Sequence, residues 1–152
     1  GNFLGALALS WVCARFGWLN AGDGALAAYT LHLAQSKMSM PFENAFFMGV
    51  LCNILVTVAV LVSLSAKDAA GRILGAWVPV MFFVVAGFSH SIADMTYCAL
   101  ALFARDAYAA DASALTWGRY LLGNMLPVTL GNIVGGLLVG GTAWYCYLRK
   151  KG

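Results

Sequence analysis

From Ala45 to Ala66 the chain carries no charged residue. A membrane-spanning helix needs roughly 20 predominantly apolar residues, and this run supplies one complete span. The rest of the chain agrees with it. Hydrophobic residues make up 62% and charged residues 10%, against roughly 45–50% and about 25% in soluble domains. A soluble core of this size would have too little polar surface to cover it. The chain is therefore expected to be an all-α integral membrane protein. Its net charge of +3 comes from scattered residues, too few to form a nucleic-acid surface.

Three further apolar segments accompany that run, and the expected spans cover about 3–18, 43–66, 71–104 and 119–148. Together they make residues 1–152 a partial transmembrane domain. The chain opens on Gly1-Asn2-Phe3-Leu4, with no initiator Met and no basic leader. It is read as truncated at its N-terminus, which also accounts for the shortness of the first segment. The stretch Ala25 to Ser36 is expected to form a short interfacial helix within a polar connection.

The third segment is too long for one straight crossing. As a single helix from Ile73 to Phe103 it would measure about 46 Å, against a hydrocarbon layer of about 30 Å. Its middle reads Gly87-Phe88-Ser89-His90-Ser91-Ile92-Ala93-Asp94. An imidazole, a carboxylate and two hydroxyls are costly at that depth unless they face protein or water. A helix broken near residues 87–92 is predicted, because irregular backbone is tolerated there only within protein or beside a cavity.

Four spans place both ends of the chain on one side. That side holds Lys67, Arg72, Arg149, Lys150 and Lys151 against Asp68. The other holds Arg15, Lys37, Arg105 and Arg119 against Asp23, Glu43, Asp106 and Asp111. The positive-inside rule puts the C-terminus in the cytoplasm of a bacterial-type inner membrane. Gly1-Asn2-Phe3-Leu4-Gly5-Ala6-Leu7 recurs as Gly131-Asn132-Ile133-Val134-Gly135-Gly136-Leu137. Spans one and four run in opposite directions, so the repeat is inverted, a common build for transport proteins.

Cys13, Cys52, Cys98 and Cys146 stand alone in apolar stretches with no CxxC spacing, and are read as packing residues. HExxH, paired acids and a helically spaced His pair are all missing from the sequence. No enzyme activity, metal or cofactor is expected.

Three segments resemble signatures of the formate/nitrite transporter family. They are Gly49-Val50-Leu51-Cys52-Asn53, Gly87 through Met95, and Asn124-Met125-Leu126-Pro127-Val128-Thr129-Leu130-Gly131-Asn132-Ile133-Val134-Gly135-Gly136. The resemblance covers essentially the whole chain as spans three to six of a six-span subunit. It implies an aquaporin-like inverted-repeat helical bundle, a homopentamer in the lipid bilayer, and one pore per subunit. The implied function is passage of small monovalent anions: formate, nitrite or hydrosulfide. Two positions depart from the family pattern: Ser89 stands where Glu is usual, and Asp94 where Asn is usual.

His90 is the first candidate for the pore chemistry. Its ordinary pKa near 6.5 lies beside physiological pH, so it can bind an anion, supply a proton to it, or both. Ser89 and Ser91 either add hydroxyl donors at the start of the second half-helix or simply cap it. Asp94 either pairs with His90 one turn away or bonds the loop backbone. By resemblance Lys37 and Asn53 lie near the pore mouth. There Lys37 would concentrate anions, and Asn53 would line the pore or bind a neighbouring helix. Phe83 is assigned to an apolar constriction or to ordinary packing. The rival readings are a neutral-solute pore, which would normally carry twin Asn-Pro-Ala loops, and a non-transport membrane assembly subunit.

Overall fold

The computed structural model describes residues 1–109 and 113–149. Every regular element among them is helical. In chain order they are α1 (Asn2–Arg15), a 3₁₀ turn (Trp18–Asn20), α2 (Ala25–Met38), α3 (Phe42–Ser65), α4 (Ala69–Val85), α5 (Ser91–Tyr108) and α6 (Leu126–Ala143). Widened π turns, Arg119–Met125 and Trp144–Leu148, flank α6. In the first of these the Leu126 N–H bonds back to the Leu121 carbonyl. A widened turn just ahead of Pro127 makes room for a ring that would crowd the preceding turn of a regular helix. Lys150 and Lys151, the end of the basic tail, lie outside the described residues, as does Asp111.

Among the described residues, two helices are long and apolar enough to cross a bilayer: Phe42–Ser65 and the continuous stretch Arg119–Tyr147. Only 28% and 33% of their most apolar windows are buried. A core helix of a soluble protein would be mostly covered. Helices whose apolar sides face outward suit a lipid solvent, where apolar surface carries no penalty. α4 is a shorter apolar helix.

The helices divide into two compact units. One comprises Gly1–Ala45 and Ser91–Pro127. In it α5 packs against α1 and α2, burying Met38, Cys98, Leu102, Leu115 and Tyr120 together. The Ser10 hydroxyl of α1 donates to the Thr96 carbonyl of α5 at 3.2 Å. α5 extends past its expected end at 104 to Tyr108, and the Arg105 guanidinium donates to the Leu115 carbonyl at 2.6 Å.

The other unit comprises Phe46–His90 and Val128–Gly152. Here α6 lies against α3 with almost no space between their backbones. A Cβ on Gly131 would be driven into the Phe46 carbonyl, and one on Gly135 into the Val50 carbonyl. Small residues that permit such close approach are the usual means of helix association where water does not drive it. α4 begins after a tight turn capped by Asp68, whose carboxylate accepts from the Gly71 N–H at 2.8 Å. This packing gives a first testable expectation. Gly131→Val or Gly135→Val should destabilise the protein by about 1–3 kcal/mol or more through overpacking. Gly141→Val, where a Cβ meets nothing within 4 Å, should be close to neutral. Thermal unfolding in detergent compares the three, and equal melting temperatures would contradict the close packing.

Candidate functional site

The long third segment is interrupted between Val85 and Ser91, and the sequence explains where. Gly87 adopts φ 73°, a left-handed conformation that glycine takes without steric cost. Its N–H bonds to the Val84 carbonyl at 3.1 Å, and the Phe88 N–H bonds to the Phe83 carbonyl at 3.0 Å. These two bonds close a Schellman motif, which satisfies the last carbonyls of α4 and turns the chain out of the helix. Residues 88–90 then run without helical structure until α5 starts at Ser91.

The candidate residues fall into two groups, one in each unit. The first group surrounds the interruption. The His90 ring is half-buried and stacks on the Phe83 ring, with centroids 5.7 Å apart and planes at 15°. Phe83 is itself buried, so His90 rests on an apolar floor provided by its own broken helix. Ser89 is fully buried. Its carbonyl accepts a hydrogen bond from the Asn132 side chain at 3.2 Å. The same Asn132 carboxamide donates to the Gly49 carbonyl at 2.8 Å. Asn53 donates from its side-chain amide to the backbone carbonyl of Asn132. Asn53 therefore joins α3 to α6.

The second group lies in the other unit. Lys37, placed by resemblance near the pore mouth, belongs to this group. The structure places it in the last turn of α2, only 7% exposed. Asp94, 1% exposed on α5, belongs to the same group. The Asp94 carboxylate accepts from the Asn124 side-chain amide at 3.1 Å, and the same amide lies 3.5 Å from the Lys37 carbonyl. Of the two sequence readings of Asp94, a partner in His90 or in the loop backbone, neither anticipated Asn124. Ser91 is partly exposed at the first position of α5. His32 is exposed on α2.

Sequence reasoning gave Asn124 and Asn132 no role, although both belong to the run that carried the resemblance. A signal was present. An amide within an apolar span needs a partner, and Asn124 and Asn132 share that need with Asn53. Among the described residues no cluster of His, Cys, Asp and Glu could hold a metal ion. The described cysteines are free thiols.

Residues 1–146 match the family model described as formate/nitrite transporter. The chain is 35% identical to the transporter YrhG of Bacillus subtilis (strain 168), covering 99% of this chain and 53% of that protein. It is also 35% identical to the formate channel FocA of Escherichia coli (strain K12), covering 99% and 57%. The formate channel BtFdhC of Bacillus thuringiensis is 32% identical, covering 99% and 54%. The chain thus spans about half the length of the curated relatives it matches. Among solved structures it superposes on a pentameric formate channel with formate bound at a TM-score of 0.85 and 32% identity, covering 96% of this chain and 62% of that one. A second ion channel described by the same family initials matches at 0.77 and 28%, covering 94% and 54%.

Proposed function

The chain belongs to the formate/nitrite transporter family, and from that premise we propose that it forms part of a pore for small monovalent anions, with formate as the leading substrate. Its fold is the all-helical, aquaporin-like one of that family's channels, in a multi-pass membrane protein. Nitrite and hydrosulfide are the further substrates this reading includes. Assembly as a homopentamer, residence in a bacterial-type inner membrane and a cytoplasmic C-terminus belong to the same proposal.

The observation that carries it is the interrupted helix with His90 stacked on Phe83. A bare anion entering an apolar constriction loses most of its hydration, at a cost of several kcal/mol even when paired. A weak acid such as formic acid crosses more easily once protonated. An imidazole beside an aromatic surface provides both requirements: a protonatable group and a water-poor wall. In this reading Phe83 forms part of the constriction. Ser89 and Ser91 contribute at the start of α5, and Lys37, Asp94 and Asn53 are the further residues this reading assigns to the pore.

The test is flux through the full-length protein in proteoliposomes. Formate should move rapidly and glycerol should not, with nitrite and hydrosulfide measured alongside. Glycerol flux without formate flux would replace this reading with that of a neutral-solute pore. Absence of both would favour a non-transport subunit.

A further inference from the structure

We infer that Asn132 is a positioning residue for His90: its carboxamide clamps the interrupted backbone of the third segment and thereby sets where the imidazole stands. The inference rests on the reading of His90 as the group that acts on the anion.

Backbone that leaves a helix within an apolar layer exposes carbonyls that water cannot satisfy. Ser89 presents such a carbonyl, one residue before His90, in a position with no solvent exposure. Asn132 supplies the donor. A carboxamide has two N–H hydrogens, and here the nitrogen has two acceptors, Ser89 O at 3.2 Å and Gly49 O at 2.8 Å. One side chain from α6 therefore ties the loop to α3. Asn53 closes the arrangement by donating to the Asn132 carbonyl.

Three glycines make the clamp possible by close approach. Gly131 and Gly135 let α6 touch the α3 backbone, as described above. Gly49 is the third. A Cβ there would lie 2.7 Å from the Val128 carbonyl and 3.2 Å from Asn132 Nδ2, and would push the amide off its acceptors. The pattern of an Asn between Gly131 and Gly135, facing a Gly four residues before a second Asn, is thus one device. With the Ser89 carbonyl held, the next Cα is held, and the imidazole is delivered onto Phe83 at the observed 5.7 Å and 15°.

The experiment compares Asn132→Ala, Asn132→Asp and Asn53→Ala with His90→Ala in the full-length protein. Formate flux is measured in liposomes from about pH 5 to 8, spanning the ordinary imidazole range. Size-exclusion elution and thermal unfolding report assembly. Asn132→Asp keeps the shape but replaces two donors with acceptors, so it should repel both carbonyls. Both Asn132 variants are expected to assemble, to lose about tenfold in flux, the equivalent of roughly 1.4 kcal/mol in a barrier, and to shift or flatten the pH profile. Asn53→Ala removes only the brace and should move flux and profile the same way by a smaller factor. An assembled Asn132→Ala with wild-type flux and profile overturns the inference. So does wild-type behaviour of Asn53→Ala if neither Asn132 variant assembles. An unaltered profile in His90→Ala would instead remove the reading of His90 itself, which separates the two failures.

Discussion

Replacing His90 with alanine should abolish the pH dependence of formate flux while leaving the protein assembled. The wild-type profile is expected to change across the pH at which the imidazole loses its proton. Below it the ring is protonated and can stabilise or protonate the anion. Above it the ring is neutral and the anion meets the constriction bare. Each 1.4 kcal/mol of that barrier is roughly tenfold in rate. A penalty of several kcal/mol for the unassisted anion therefore makes a loss of about a hundredfold or more reasonable at the acid end. His32 cannot substitute, because it is exposed on α2 in the other unit. Removing the ring leaves the Phe83 face in place, so passive leak is expected to survive. The measurement is initial formate flux in proteoliposomes on both sides of that pH. An unchanged profile in His90→Ala would leave His90 as a structural residue of the loop and end the proton-relay reading.

A second large effect is expected on stability, from the group centred on Asp94. Lys37 and Asp94 are 7% and 1% exposed, and Lys37 contributes an attractive charge at the carboxylate. Asn124 links them, lying 3.1 Å from the Asp94 carboxylate and 3.5 Å from the Lys37 carbonyl. Removing one member of a buried opposite-charge pair typically costs about 3–5 kcal/mol, because the partner stays buried and uncompensated. Lys37→Met should therefore lower the melting temperature sharply, as should Asp94→Asn to a smaller degree, since its amide still bonds within the cluster. The double variant Lys37→Met with Asp94→Asn buries no charge and should be more stable than Lys37→Met alone. That sign of non-additivity is the signature of coupling. Strictly additive losses in detergent melting experiments would mean that the two charges do not act on each other.

The Asp94 group also qualifies the resemblance. Asp94 replaces the family's usual Asn and Ser89 its usual Glu. The carboxylate in this chain is thus engaged with Asn124 and Lys37 inside its own unit, and Ser89 contributes a clamped carbonyl beside His90.

Some of this was readable along the chain because it depends on sums over neighbouring residues. The charge-free run from Ala45 announces α3, since the cost of placing groups in lipid is set locally by each side chain. The interruption after Val85 was signalled by excess length and a polar centre, and Gly87 stands where a left-handed turn must fall. Other features depended on distances no local window contains. Asn53 and Asn132 are 79 positions apart, and Asn124 and Asp94 are 30. Which amide meets which acceptor follows from the register of helix against helix, and for Asn53 and Asn132 that register is set by Gly131 and Gly135 pressing on α3. Lys37 shows the same division most plainly. Its sequence neighbours Gln35, Ser36 and Ser39 are polar and suggest a solvated lysine. The packing of α2 on α5 buries it instead, because burial is decided by which helix face meets a neighbour and not by the polarity of adjacent residues.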